Sequence, residues 1–240
     1  MFRFKQFSVD DSRSPMKVGT DGVLLGAWFE AGQDCGRILD IGTGCGVIAL
    51  MAAQRTGAAV EAIDIDPGCI EDARENVAAS PWSDRITAHE TSLVDFVARC
   101  GADRFDHILS NPPYFVDSLL PPQKGRTRAR HAESLPSAEL AACVAELLAP
   151  DGIFSIILPP REARLFVSYA TEYNLYLRRL AHVHTYDGIP PKRVLMEFRF
   201  GEGQPGQDKP EQDKIVIHEI ITREFTTRYR ELTKDFYLKF

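Results

Sequence analysis

The amino-acid sequence predicts an open α/β fold in which helices cover both faces of a mostly parallel sheet. From Arg37 onward, apolar strand-like runs alternate with helical ones, which is the pattern of right-handed βαβ units. A glycine-rich stretch, Gly42–Gly46, falls between the first such strand and the next helix, where these folds place a ligand-binding turn. The chain has 240 residues, of which 44% are hydrophobic, enough for one domain with a substantial core.

Seven segments have the apolar content of strands. They are Arg37–Ile41, Ala59–Asp64, Arg85–Thr91, Phe105–Ser110, Gly152–Leu158, Arg193–Phe200 and Lys214–Glu219. The last two alternate apolar and polar residues on either side of a loop rich in glycine and proline. This predicts an antiparallel hairpin at one edge of the sheet.

Helices are predicted in the intervals between these strands. Gly46–Arg55 follows the glycines, and Pro67–Ala79 follows the second strand. Asp66 is expected to be the N-cap of this second helix, with proline at the first helical position. A short helix over Arg223–Lys234 is predicted near the C-terminus.

Composition narrows the class of protein. No apolar run approaches the ~18 residues of a membrane span, and the charged N-terminal residues are unlike a signal peptide. The five cysteines lie far apart without Cys-x-x-Cys pairs, so neither a disulfide framework nor a metal site is expected, and a cytoplasmic location fits. The net charge of −6 argues against a nucleic-acid partner only if no basic cluster exists.

The glycine-rich stretch carries the first functional signal. Its spacing is Gly-x-Gly-x-Gly, with Gly42 and Gly44 as the first two glycines and Asp40 just before them. Glycines let a backbone turn sharply and approach a ligand, and Asp40 can attract an ammonium group directly or through water but would repel a pyrophosphate. The loop therefore fits the amino-acid end of S-adenosylmethionine, with a purely structural turn as the alternative.

Two further positions are expected at this cofactor. Asp64 ends the next strand about twenty residues on, where an acid accepts hydrogen bonds from both ribose hydroxyls. The third strand ends near Ser92, where an acid would receive the amino group of the cofactor's adenine. Ser92 is assigned to that contact, with Glu90 or Asp95 as substitutes if the register shifts.

The most specific signal is Ser110-Asn-Pro-Pro-Tyr-Phe115, at the end of the fourth predicted strand. An amino nitrogen on an aromatic ring is a poor nucleophile because its lone pair is delocalised. The Asn111 side-chain oxygen and the Pro112 carbonyl can accept hydrogen bonds from its two N–H groups, and Tyr114 offers a flat face for an extruded base. Asn111 is also counted among the cofactor-binding residues. The alternative is a rigid turn that ends the strand.

These motifs resemble the Rossmann-like class I S-adenosylmethionine methyltransferases that act on amino groups of adenine, cytosine or glutamine. The N-terminal residues narrow the resemblance to the bacterial family that N6-methylates adenosine 37 of valine tRNA. The segments concerned are Phe4–Phe7, Met16–Trp28, Ser80–Trp82 and Asp235–Leu238. The resemblance implies a single domain over 1–240 with a cap segment, 1–35, over the site of a core, 36–240. It also implies tRNA as partner, and we expect a monomer. Ser92 departs from the acid expected there.

Candidate RNA-binding residues lie in three places. Lys17 precedes Thr20 and Asp21, which could cap the following helix. A basic run follows the Asn-Pro-Pro-Tyr motif, and a basic pair precedes the sixth predicted strand; guanidinium groups pair with phosphates and stack on bases. The residues assigned to RNA are Lys17, Arg126, Arg128, Arg130, Lys192 and Arg193. His182 and His184 are interpreted as strand residues rather than ligands.

Several alternatives remain open at this point. A glutamine methyltransferase acting on a translation factor uses the same motif, but such enzymes usually carry a helical domain ahead of the core, and only about 35 residues precede it here. DNA adenine methylation would call for a target-recognition domain, and a small-molecule methyltransferase would not need the basic run. A non-catalytic RNA-binding protein is the alternative from another class, against which the two intact motifs argue.

Overall fold

The computed structural model describes residues 1–30, 32, 34–101, 104–113, 136–201 and 209–240. The strands in these ranges are β1 Phe2–Arg3, β2 Ser8–Val9, β3 Arg37–Ile41, β4 Ala59–Asp64, β5 Ile86–Glu90, β6 Phe105–Ser110, β7 Leu148–Leu158, β8 Leu175–Tyr186, β9 Arg193–Phe200 and β10 Glu211–His218. The helices are α1 Thr20–Trp28, α2 Val47–Arg55, α3 Pro67–Ala78, α4 Leu93–Cys100, α5 Ser137–Leu147, α6 Pro160–Glu172 and α7 Thr227–Thr233.

The main sheet contains eight strands in the order β10-β8-β9-β7-β6-β3-β4-β5. β9 runs antiparallel to both of its neighbours, and the other neighbouring pairs are parallel. Helices cover both faces, with α1, α2, α3 and α7 on one face and α4, α5 and α6 on the other. The predicted fold class, a mostly parallel sheet between two helical layers, is confirmed.

The C-terminal strands differ from the prediction in one respect. The expected hairpin between β9 and β10 does not form, because β8 lies between them and pairs with β10 in parallel. Five consecutive residues of β9, Val194–Phe198, are buried, and such a strand belongs inside a sheet rather than at its edge. The sheet therefore has eight strands instead of seven, with β10 at the edge.

The two ends of the chain meet beside α7. Phe4 forms an antiparallel bridge with Tyr237, and the Lys5 backbone N–H donates to the Phe236 carbonyl at 2.8 Å. The Lys5 ammonium also donates to the backbone oxygen of Phe240 at 2.6 Å. The first and last residues thus form one small layer packed on the core.

The register of the parallel strands brings the predicted site to one edge of the sheet. Ile41 of β3 is paired with Ile63 of β4 on one side and with Ser110 of β6 on the other. Asp64 is paired with Glu90 of β5. Because the carboxyl ends of parallel strands meet at the same edge, the glycine loop and the residues after β4, β5 and β6 are neighbours.

Candidate active site

The glycine loop has the geometry of a ligand cradle. Gly42 and Gly44 have positive φ values of 69° and 55°, which L side chains rarely adopt. A Cβ at either position would meet no atom within 4 Å, so the space above both glycines is open. Gly46 instead allows close packing on α3, because a Cβ added at this position would lie 3.3 Å from the Ala73 Cβ. The loop is therefore packed on one side and open on the other.

Asp40 lies beneath this loop and is fully buried. Its Oδ2 accepts hydrogen bonds from the Thr43 hydroxyl at 2.6 Å and the Ala49 N–H at 3.1 Å. Its Oδ1 is buried and has no hydrogen-bond donor among the residues that the structure describes. Burial raises the pKa of Asp40 to about 7, against the opposing effect of those two hydrogen bonds. A positive ligand group over the loop would favour the ionised form, so Asp40 fits a cofactor that carries an ammonium.

Asp64 connects the end of β4 to the glycine loop. Its Oδ2 accepts from the Gly44 N–H at 2.9 Å, and its Oδ1 accepts from the Asp66 N–H at 3.0 Å. Burial raises the pKa of this carboxyl. A carboxylate has about four acceptor sites, so capacity for two ligand hydroxyls remains. Asp66 accepts from the Cys69 N–H at 2.9 Å, which confirms it as the N-cap of α3.

Ser92 is the N-cap of α4. Its hydroxyl accepts from the Asp95 N–H at 3.1 Å and donates to the Asp95 carboxylate at 2.6 Å. The serine and one of its two predicted substitutes therefore lie side by side after β5. Two exposed apolar side chains, Ile65 after β4 and Val94 in the first turn of α4, present 52% and 49% of their surface to solvent. Sequence reasoning missed both, although an apolar residue directly after Asp64 is a visible signal.

The Asn-Pro-Pro motif begins where β6 ends. Ser110 is fully buried, and its hydroxyl donates to the Ile41 carbonyl at 3.0 Å. Because Ser110 is paired with Ile41, the next residue of each strand, Asn111 and Gly42, are neighbours. Asn111 and Pro112 are partly buried. Tyr114 lies outside the described residues.

The N-terminal segment is fixed to α3 by buried polar contacts that sequence reasoning missed. The Asn76 side chain accepts from the Asp10 N–H at 2.8 Å and donates to the carbonyls of Asp10 and Cys45 at 2.7 and 2.9 Å. Asp72 accepts from the N–H groups of Arg13 and Ser14 at 3.0 and 2.8 Å. Burial opposes ionisation of Asp72, but hydrogen bonds from Arg13 and Ser14 outweigh it and hold its pKa below the usual value. Both partners are some sixty residues away in sequence, which no local pattern reveals.

Thr20 and Asp21 do not cap α1. Gly19 is the N-cap residue, without a side-chain hydrogen bond, and Thr20 is already helical. The Asp21 carboxylate instead accepts from the Arg193 Nε at 2.7 Å. The capping interpretation was wrong because the extended backbone position falls one residue earlier.

Three of the six predicted RNA-binding residues lie within the described ranges, namely Lys17, Lys192 and Arg193. The Lys17 ammonium donates to the backbone oxygens of Asp11 and Ser12 at 2.5 and 3.2 Å, and Lys192 is exposed beside Arg193. Arg126, Arg128 and Arg130 lie outside the described residues. His182 and His184 lie in β8, as predicted.

Three predictions made from composition concern disulfides, metal ligands and membrane-spanning helices. All five cysteines are free thiols. No cluster of three or more potential metal ligands occurs among the described residues. Within the same ranges, no helix has both the length and the apolar character that a bilayer crossing requires.

The cradle over Gly42 and Gly44, the acid at the end of β4 and the amide after β6 are the features of a class I S-adenosylmethionine-dependent methyltransferase. The methyltransferase small domain family matches residues 16–124. The chain belongs to the family of tRNA1(Val) (adenine(37)-N6)-methyltransferases. It is 48% identical to the member from Phocaeicola vulgatus, over 99% of this chain and 97% of that protein. It is 46% identical to the member from Bacteroides thetaiotaomicron over the same shares, and 38% identical to that of Pectobacterium carotovorum, over 99% and 93%.

Solved structures share the fold at lower identity. A predicted O-methyltransferase from Agrobacterium tumefaciens has a TM-score of 0.66 at 20% identity, over 90% of this chain and 96% of that one. A glycopeptide N-methyltransferase solved with S-adenosyl-L-methionine has a TM-score of 0.56 at 14% identity, over 78% and 100%. These similarities agree with the topology described above.

Proposed function

We propose that this protein transfers a methyl group from S-adenosylmethionine to N6 of adenosine 37 in valine tRNA. The observation that carries the proposal is the juxtaposition of Asn111 with the open glycine loop, set by the pairing of Ile41 with Ser110. The relatives that match nearly the whole chain are named for this reaction. Because the proposed substrate is a tRNA, we expect the protein to act in the cytoplasm, and we expect a monomer.

The cofactor would lie along the carboxyl edge of β3, β4 and β5. The open space above Gly42 and Gly44 accommodates its amino-acid end, with Asp40 beneath as the charge that faces the ammonium. Asp64 accepts from the two ribose hydroxyls. Ile65 and Val94 give apolar surfaces for the cofactor's adenine, and the Ser92–Asp95 pair gives the acceptor for its amino group. When bound, the cofactor supplies an electrophilic methyl group on a sulfonium.

Asn111 and Pro112 would act on the target nitrogen. The Asn111 side-chain oxygen accepts from one N–H of the exocyclic amine, and the Pro112 carbonyl accepts from the other. This orientation turns the nitrogen lone pair toward the methyl carbon, so the new N–C bond forms as the C–S bond breaks. The methylated nitrogen then loses one proton to solvent. Tyr114 is proposed to stack on the extruded base.

The RNA backbone would be held by the six basic residues assigned from the sequence. Lys17 supports this assignment because its two hydrogen-bond partners are neutral carbonyl oxygens, so they leave its positive charge uncompensated. Lys192 is exposed at the same edge of the sheet. Arg126, Arg128 and Arg130 follow the catalytic motif by about a dozen residues, which favours their proximity to the substrate.

The test is methyl transfer from labelled S-adenosylmethionine to total RNA from cells that lack this protein. Label recovered as N6-methyladenosine in valine tRNA, at position 37 after mapping, is the expected result. Label in other nucleosides or in another tRNA would refute the substrate assignment. Absence of label in RNA while the protein still binds the cofactor would reject RNA as substrate, and a protein glutamine amide would then be tested.

A further inference from the structure

A second pocket opens at the same edge of the sheet, on the far side of Asn111 from the glycine loop. It has a volume of about 600 Å³ and is lined by residues from both ends of the chain, from the start of α1 and from the strands β8, β9 and β10. A volume of this size is within the usual range for small-molecule sites, about 300–1,000 Å³. None of the roles assigned above to cofactor or target base uses this pocket.

The register of the strands fixes how far the pocket lies from Asn111. Ser110 is paired with Ile156 of β7, and two residues further along β7 Leu158 is paired with Val194 of β9. Arg193, at the rim of the pocket, is therefore two strands from Asn111, or about 10 Å at the usual strand spacing. β8 and β10 extend the pocket further in the same direction. A nucleotide near the target base in the same RNA chain can reach it.

Aromatic side chains form much of the wall, and one of them has an available face. Phe225 stacks on His218 at 4.7 Å and on Tyr229 at 5.0 Å. Phe2 instead meets Phe4 at an interplanar angle of 49° and Tyr237 at 62°. Among the described residues, no ring lies parallel to Phe2, which is 36% exposed. A partly exposed ring without a stacked partner suits an unpaired base.

Charge at the rim favours an anion. Arg193 forms an ion pair with Asp21 at 2.7 Å, so the net positive charge of the rim comes from its neighbour Lys192. Within the described ranges, the exposed Lys192 ammonium forms no ion pair with a carboxylate. Among the described residues that line the pocket, Lys192 and Arg193 are the basic side chains and Asp21 is the only carboxylate. A phosphate is the group that such a rim complements.

We propose that this pocket holds a nucleotide that neighbours the target adenosine, with its base stacked on Phe2 and its phosphate at Lys192. The inference rests on the proposed function, because the occupant belongs to the same RNA. It adds a specificity site: the enzyme would read a second base besides the one it methylates. Neither Phe2 nor the rings beside it take part in the transfer.

The experiment uses the full-length protein and synthetic stem-loop RNAs in which the nucleosides around the target are made abasic one at a time. Phe2→Leu removes the ring and keeps an apolar side chain, and Lys192→Gln removes the charge. Tyr173→Ala and Lys209→Gln are the matched controls. Tyr173 is a similarly exposed aromatic, at 39%, beyond the end of α6, and Lys209 is an exposed lysine before β10; both lie toward the opposite edge of the sheet.

One abasic position should raise the KM of the wild-type protein for RNA about tenfold, the loss expected from one base–aromatic stack. Phe2→Leu should show the same increase with intact RNA and no further increase with that abasic RNA. Lys192→Gln should reduce the slope of log affinity against log salt by about 0.7. Phe2→Leu should keep the wild-type kcat, and both variants should keep the wild-type cofactor affinity and melting temperature.

The inference is overturned if Phe2→Leu and Tyr173→Ala have the same KM, or if abasic positions affect Phe2→Leu as much as the wild type. It is also overturned if sedimentation shows a wild-type dimer that Phe2→Leu dissociates, because the pocket would then hold a second copy. Failure of the wild-type protein to methylate intact tRNA is a separate result, which rejects the proposed function before any variant is compared.

Discussion

The Asn76 side-chain nitrogen lies 2.9 Å from the Cys45 carbonyl oxygen in the glycine loop. The same amide group accepts a hydrogen bond from the Asp10 N–H and donates one to the Asp10 carbonyl. One buried side chain on α3 thereby joins the N-terminal segment to the loop that faces the cofactor. The position of that segment is coupled to the shape of the loop.

Replacement of Asn76 by alanine should affect both stability and cofactor binding. Asn76 is buried, and its loss leaves three backbone groups without a partner, for a cost of about 3 kcal/mol in the free energy of unfolding. Because one of these groups belongs to the glycine loop, cofactor affinity should fall several-fold. Urea denaturation and calorimetric titration measure the two effects. Ala78→Ser, at an exposed position on the same helix, is the control and should change neither; an unchanged affinity in Asn76→Ala would disprove the coupling.

Asn111→Ala should abolish methyl transfer without loss of the cofactor. Removal of one pre-positioned polar group at a reacting centre costs about 100- to 1,000-fold in kcat. Asn111 is only one of the several residues assigned to the cofactor, so cofactor affinity should stay within about twofold of the wild type in equilibrium dialysis. Asn111→Asp retains an acceptor oxygen and should keep more activity than the alanine variant. Equal activity of the two variants would show that acceptance of the N–H is not the role of this side chain.

Gly44→Ala should weaken cofactor binding more than it weakens the fold. The added methyl group meets no protein atom, so the structural cost is that of a positive φ, about 1–2 kcal/mol, while the methyl group enters the space proposed for the ligand. Gly101→Ala is the matched control, since Gly101 also has a positive φ, of 57°, and open space around it. It should lose stability but keep cofactor affinity. Equal affinity in the two variants would place the ligand elsewhere.

Asp40 gives stability an unusual dependence on pH. Its pKa in the folded protein, about 7, is above that of an unfolded aspartate, about 3.9. The folded state therefore binds more protons between these values, and this contribution to stability falls by up to about 1.4 kcal/mol per unit as pH rises from 4 to 7. Above pH 7 the contribution is constant. The free energy of unfolding of Asp40→Asn, relative to the wild type, should change with pH only in this window.

His107 also makes the stability of the protein depend on pH. The effect of Asp40 must therefore be measured as the difference between Asp40→Asn and the wild type. The His107 ring is buried against Ser155, and burial lowers its pKa to about 3, so its contribution to stability is lost as pH falls below about 6.5. The two residues act in opposite directions over the same range and partly cancel in the wild type. If the Asp40→Asn and wild-type profiles are parallel between pH 4 and 7, Asp40 does not titrate in this way.

The part of the site that the sequence predicts is the part encoded locally. Gly42, Gly44 and Asp64 lie at strand ends within one βαβ unit, so spacing alone places them. Asn76 and Phe2 could not be found in this way, because their partners are distant in sequence and are brought together only by packing. The position of β9 inside the sheet also depends on tertiary structure, since the apolar pattern of a strand does not determine which strands pair with it.

The meeting of the two chain ends has a practical consequence for anyone handling the protein. The N- and C-termini are adjacent, and Phe2 and Tyr237 both line the aromatic pocket. An affinity tag at either terminus would crowd the surface proposed for RNA and weaken RNA binding. Adjacent termini also permit circular permutation, with a short peptide joining residues 1 and 240 and new ends opened near Gly101, away from the carboxyl edge.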